Sequence, residues 1–205
     1  MKTEIRISAA LWEEVLDVFA AHQPGVERVA YLDGYRVDET GYPGVDPGDQ
    51  TFVAVTVVVP DADLHPRYYT VSADVISQAG QHLRTLHMTR VAQVHTHGND
   101  WVDHSTTDDD RAYSQRPGTI SIVVPHHSQH RPPVADCGVH LRTEHGWRRV
   151  KPDSVITIVP TVLDHRSHPW TPPESPASPA STGGIFARFL DWTKRARGSH
   201  GRSGS

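Results

Sequence analysis

Fourteen residues, His95-Thr96-His97-Gly98-Asn99-Asp100-Trp101-Val102-Asp103-His104-Ser105-Thr106-Thr107-Asp108, concentrate the side chains of this sequence best suited to chemistry. The preceding Val91-Ala92-Gln93-Val94 is short and apolar enough for a strand, so residues two apart point to one face and both His95 and His97 aim into one cavity. Ser105 opens a segment expected to be helical from Thr106 to Gln115, which puts Ser105 and Asp108 one above the other. Two imidazole nitrogens and one carboxylate oxygen make a three-ligand set for zinc that leaves the fourth tetrahedral position open, as catalytic sites do. Asp108, Asp109 and Asp110 form a run that a helix N-terminus favours in any case; spacing selects Asp108, with Asp109 as the alternative.

The elements that must position these residues can be read outward from them. Ser8 caps a helix over Ala9 to Ala21 whose Trp12, Val15, Leu16 and Phe19 form one apolar stripe. Val26 to Leu32 reads as a strand ending at Asp33-Gly34, with Glu27 at its start. Thr51 to Val59 is a β-branched run expected to be a buried central strand, and Met1 to Ser8 an edge strand. Ser72 caps a second helix carrying Val75, Ile76, Ala79, Leu83 and Leu86 on one side. Thr119 to Val124 is a further strand, and Gly138 to Thr143 with Trp147 to Val150 a hairpin. Val155 to Leu163 is a last strand or extended stretch, and the His126 to Pro133 stretch, with His126, His127 and His130, a solvated loop. Alternating strands and helices place the chain in the α/β or α+β class.

Composition narrows the function. The 205 residues suffice for one well-buried domain. A single cysteine, Cys137, removes disulfides and multi-cysteine zinc clusters. Charged residues interrupt the N-terminal apolar stretch, which excludes a signal peptide, and no run approaches a membrane span, so a cytoplasmic protein is expected. Five basic residues and one acid after Ile185 give that end +4 against a whole-chain −4, so residues 1 to 184 carry −8. Such a body is a poor nucleic-acid binder, because phosphate neutralisation drives that affinity. The domain is expected to span 1–170. A Pro/Ser-rich linker follows at 171–184, then a basic amphipathic segment and tail at 185–205, a candidate for docking on a membrane surface or an acidic partner.

His-x-His, seven residues, then Ser-x-x-Asp resembles the JAMM motif of the JAB/MPN metalloprotease family. The family's upstream glutamate, before a Leu-x-Gly, is matched by Glu27-Arg28-Val29-Ala30-Tyr31-Leu32-Asp33-Gly34. The resemblance implies a cytidine-deaminase-like fold, a mixed central sheet flanked by helices. It makes His95, His97 and Asp108 the ligands of one zinc per chain, Glu27 the base that takes a proton from the attacking water, and Ser105 the donor to the developing oxyanion. The implied reaction is hydrolysis of a peptide or isopeptide bond at the C-terminal tail of a ubiquitin-like or sulfur-carrier-like protein. Gly98 stands where the family loop often opens with proline, which makes Trp101 a candidate substrate contact. His104 and Asp103 are candidates for orienting the ligands, although the composition of their loop favours exposure. The rival readings are a non-catalytic MPN-type binding scaffold and a metal-dependent phosphohydrolase.

Overall fold

A computed structural model describes residues 2–21, 25–37, 46 and 48–163. The expected linker and basic tail lie outside the described residues. The first strand, β1 (Thr3–Ser8), buries alternate residues, and Ser8 turns the chain into helix α1 (Ala9–Ala20) by accepting a hydrogen bond from the Leu11 amide. The stripe read from the sequence is the stripe that packs: Trp12, Val15, Leu16 and Phe19 are all buried. Each such side chain contributes about 2 kcal/mol when taken fully from water.

The remaining elements are β2 (Val29–Val37), β3 (Gln50–Val58), β4 (Asp63–His65), β5 (Tyr68–Thr70), α2 (Ala73–Thr85), β6 (Thr89–Thr96), α3 (Thr106–Arg111), β7 (Ile120–Val124), β8 (Gly138–Thr143), β9 (Gly146–Val150) and β10 (Ile156–Val159). Eight strands form one mixed sheet in the order β10-β1-β3-β2-β6-β7-β8-β9, and β4 pairs with β5 as a separate hairpin. The architecture is α+β. Alternation along β2 sorts its neighbours: Ala30 and Leu32 join α1 in the main core, whereas Val29 and Tyr31 pack with Tyr69 in a second cluster. His95 lies opposite Val29 in the β2–β6 register, so it belongs to that second face.

Several boundaries differ from the sequence reading for identifiable reasons. β1 is not an edge strand, because β10 pairs with it in parallel, Ile5 facing Ile156. β2 does not stop at Asp33-Gly34 but runs through a bulge there to Val37. Gly34 serves a close approach rather than a turn, since a Cβ at that position would lie 1.9 Å from the Val53 carbonyl oxygen. β3 is interior in the sheet yet not buried along its length, with Val55 46 % exposed. The α2 stripe is amphipathic as expected, but none of its residues is fully buried. α3 ends at Arg111 rather than Gln115: the Tyr113 amide bonds the Gln93 side chain and its ring meets Tyr31 edge-on, contacts a continuing helix would forfeit. The β4–β5 hairpin falls in a segment that reads as a loop.

Candidate metal centre

Strand β6 delivers both histidines. His95 is inside its ladder, and His97 extends it by one bond, its amide donating to the Val124 carbonyl. The chain then folds back at once. The Trp101 carbonyl accepts from His97 Nδ1 at 2.8 Å, and the indole stacks on the same imidazole with ring centroids 5.2 Å apart. A carbonyl only accepts, so Nδ1 carries the proton and the Nε2 lone pair is left for another partner.

That partner lies on α3. Asp108 Oδ1 stands 3.4 Å from His95 Nε2 and Oδ2 stands 3.4 Å from His97 Nε2. His95, His97 and Asp108 are all buried, and they are the group of metal-binding residue types that converges among the described residues. Two ligand atoms about 2.1 Å from one tetrahedral ion are separated by about 3.4 Å; each histidine has that spacing to one oxygen of Asp108, and one ligand atom from each of the three residues lies within 4.8 Å of the others. Both His95 nitrogens are buried without a hydrogen-bond partner, an orphaned state that a bound cation would resolve. The residues therefore fit a metal.

Electrostatics gives the three side chains different characters. Burial opposes ionisation of Asp108, but His95, His97 and the Ser105 amide outweigh it and hold the carboxyl far below the usual range. Burial lowers the His95 pKa against the pull of Asp108. For His97 burial also works downward, yet Asp108 and the Trp101 carbonyl prevail and the pKa rises.

Glu27 sits just before β2 rather than on it. Its backbone N–H donates to the His65 carbonyl of β4, while Arg28 exchanges bonds with Thr96 next door. That register places Glu27 opposite His97. Burial pushes its carboxyl up to about 7, with His97 lowering it and Asp108 raising it. The residue is only 7 % exposed.

Ser105 does two things at the α3 N-terminus. Its Oγ accepts from the Asp108 amide and donates to Asp108 Oδ2, which also accepts from the Ser105 amide. The capping box is thus complete with Asp in place of the usual Glu or Gln, and it sets the carboxylate in front of the histidines. Asp109, the alternative ligand, is not in the convergent group and accepts instead from His104 Nδ1 at 2.9 Å. Trp101 is 46 % exposed beside His97.

Three features were missed or misjudged in sequence. The His104 side chain is 4 % exposed, not a surface group, and burial pushes its pKa down to about 3. His140 is equally buried and stacks on it at 4.0 Å. Tyr69, on the unrecognised hairpin, is buried with its ring 5.6 Å from His95 and its hydroxyl bonded to the Gln93 side chain. His104 lies in a loop, where no periodicity marks an inward side chain. The His126 to Pro133 stretch is solvated in its second half, with Gln129, His130 and Arg131 exposed, while His126, His127 and Ser128 adopt left-handed backbone angles and the His126 and His127 amides bond the Asn99 and His97 carbonyls.

No family model and no curated protein matches the chain. Solved structures do match in fold. One is the solution structure of protein DSY2949 from Desulfitobacterium hafniense, with a TM-score of 0.56 and 18 % identity over 81 % of this chain and 99 % of that one. Among the described residues no helix is long and apolar enough to cross a membrane.

Proposed function

We propose that the protein is a metallopeptidase or isopeptidase of JAB/MPN type that holds one zinc ion at His95, His97 and Asp108. Its proposed reaction is cleavage of an amide bond at the C-terminal tail of a ubiquitin-like or sulfur-carrier-like protein. The observation that carries this reading is Glu27, a buried carboxyl that the β2–β6 register sets opposite His97 and that burial pushes above the ordinary carboxylate range. A metal-binding scaffold has no use for it. A general base works best with its pKa near the working pH, and the same carboxyl can take a proton from water and return it to the leaving amine. Zinc bound here would supply Lewis acidity, polarising the scissile carbonyl and making water easier to deprotonate.

The chain's own residues divide the remaining tasks. The Trp101 carbonyl fixes the His97 tautomer, and Ser105 fixes the orientation of Asp108. The Ser105 hydroxyl is also the group proposed to donate to the developing oxyanion, a contribution worth about 3 kcal/mol in other hydrolases; its one proton must then turn from Asp108 Oδ2, which keeps its bond from the Ser105 amide. Trp101, exposed next to His97, is the proposed wall for the substrate tail. One convergent ligand group among the described residues supports a single-metal amidase over a two-metal phosphohydrolase.

The test is a panel of ubiquitin-like and sulfur-carrier fusions offered to purified protein, with zinc measured in parallel. Expected are about one zinc per chain, cleavage abolished by a chelator, and Glu27→Gln that keeps its zinc yet cleaves nothing. If Glu27→Gln cleaves as fast as the wild type, the peptidase reading is wrong.

A further inference from the structure

A histidine that binds metal through one nitrogen ordinarily donates the N–H of the other to a carboxylate, a backbone carbonyl or a water, which sets its tautomer and fixes the ring. His97 obeys this through the Trp101 carbonyl. His95 does not: with Nε2 turned to Asp108, its Nδ1 is buried and has no hydrogen-bond partner. If His95 ligates through Nε2, Nδ1 must carry the proton and needs an acceptor.

One buried acceptor nearby is itself unused. His104 Nδ1 lies 2.9 Å from Asp109 Oδ1; a carboxylate only accepts, so that nitrogen is the protonated one and His104 Nε2 presents a lone pair. This Nε2 is buried with no partner. The two rings are 5.7 Å apart, centroid to centroid. His104 is clamped on its other side by the His140 ring at 4.0 Å and the Trp147 ring, edge-on, at 5.0 Å. The Tyr69 hydroxyl, on a ring 5.6 Å from that of His95, accepts from Gln93 Nε2 and keeps a second lone pair, so it is a rival acceptor.

We infer that His104 is a positioning residue for the metal centre: its Nε2 receives the Nδ1–H of His95 across one water, so that Asp109, His104 and His95 form a line ending at the metal. This rests on the reading of His95 as a ligand. The β7–β8–β9 part of the sheet then has a task beyond packing, since His140 and Trp147 hold the middle ring of that line. Ser121 Oγ and both His140 nitrogens, buried without a hydrogen-bond partner on the same sheet face, compete with His104 for that proton, as does the Tyr69 hydroxyl.

Zinc affinity measured by competition with a chelator tests the inference. His104→Phe keeps a flat ring for His140 and Trp147 but removes the lone pair, and it is expected to weaken zinc by about 10- to 100-fold. His104→Gln, which can place a carbonyl oxygen near the lost lone pair, should recover part of that loss. Asp109→Ala, at a side chain 44 % exposed and so tolerant of change, should weaken zinc by a smaller factor, and it carries the test if His104→Phe fails to fold. Ser121→Ala should leave affinity unchanged. Nitrogen-15 spectra of the zinc-loaded protein should show His95 protonated at Nδ1 and protected from exchange, with protection lost in His104→Phe. A folded His104→Phe that binds zinc as tightly as wild type, or a loss that follows Ser121→Ala instead, overturns the inference and leaves the peptidase proposal standing. Zinc binding of the expected pattern without any peptide cleavage supports the inference and overturns the peptidase. Wild-type protein that takes up no zinc overturns both.

Discussion

At the scale of single residues, Glu27 makes the most distinctive prediction. Its pKa in the folded protein is about 7 against an ordinary 4.5, so between those values the folded state holds a proton that the unfolded state has released. A raised pKa gives stability that is complete below about pH 4.5 and is lost as pH rises through 7. Metal-free wild type should therefore lose up to about 3 kcal/mol relative to Glu27→Gln between pH 4.5 and pH 8. Urea denaturation of both proteins across that range checks it; parallel curves would show that Glu27 is not desolvated. Asp108 has the opposite sign, since its carboxyl is held ionised well below the usual range. Asp108→Ala should reduce zinc affinity by more than the roughly 100-fold typical of an outer partner, read by equilibrium dialysis. The sequence was informative about these residues because spacing along one strand and one helical turn is local geometry. It named His104 as a candidate for orienting the ligands but could not show that it is buried, and it was silent on His140 and Tyr69, which only the tertiary fold brings near.

At the scale of elements, the helices were the most legible parts and the ends of strands the least. Ser8 and Ser72 cap α1 and α2 as their sequence contexts imply, because capping needs nothing beyond three residues. Asp33-Gly34 misled for the same reason that it now matters: glycine in sequence reads as a turn, whereas here it lets β2 and β3 approach closely. Gly34→Ala should cost about 3 kcal/mol from the clash with Val53. For a chain of this size that lowers the melting temperature by about 10 °C, measured by circular dichroism. Gly138 has the same constraint against the Val102 carbonyl, where a Cβ would lie at 1.8 Å. Since Val102 belongs to the loop between His97 and Ser105, Gly138→Ala should weaken zinc as well as stability, whereas Gly34→Ala should affect stability alone.

At the scale of the whole molecule, residues 1–162 form one compact unit. A chain ending at Leu163 should keep the zinc affinity and melting temperature of the full chain, because every ligand and every partner named here lies within it. Calorimetry of the shortened chain tests this, and a lowered melting temperature would assign the residues beyond 163 a structural role. Fold class was readable from alternating apolar patterns. Strand order was not, since pairing β1 with β10 depends on distant residues and no local pattern encodes a partner 151 positions away.

That pairing also dictates an order of assembly. The metal ligands and Glu27 all fall between residues 27 and 108, on β2, β6 and α3 or the turns beside them, whereas β1 waits for Ile156 before its outer edge is covered. During synthesis from the N-terminus, β1 is made before every other strand described, yet it is among the last to be closed on both sides. Its Ile5 and Ile7, buried in the finished protein, must stay unpaired with β10 while nearly the whole domain is made. Such long-range closure slows folding, and it leaves the apolar face of β1 exposed for longer than any segment that carries a ligand.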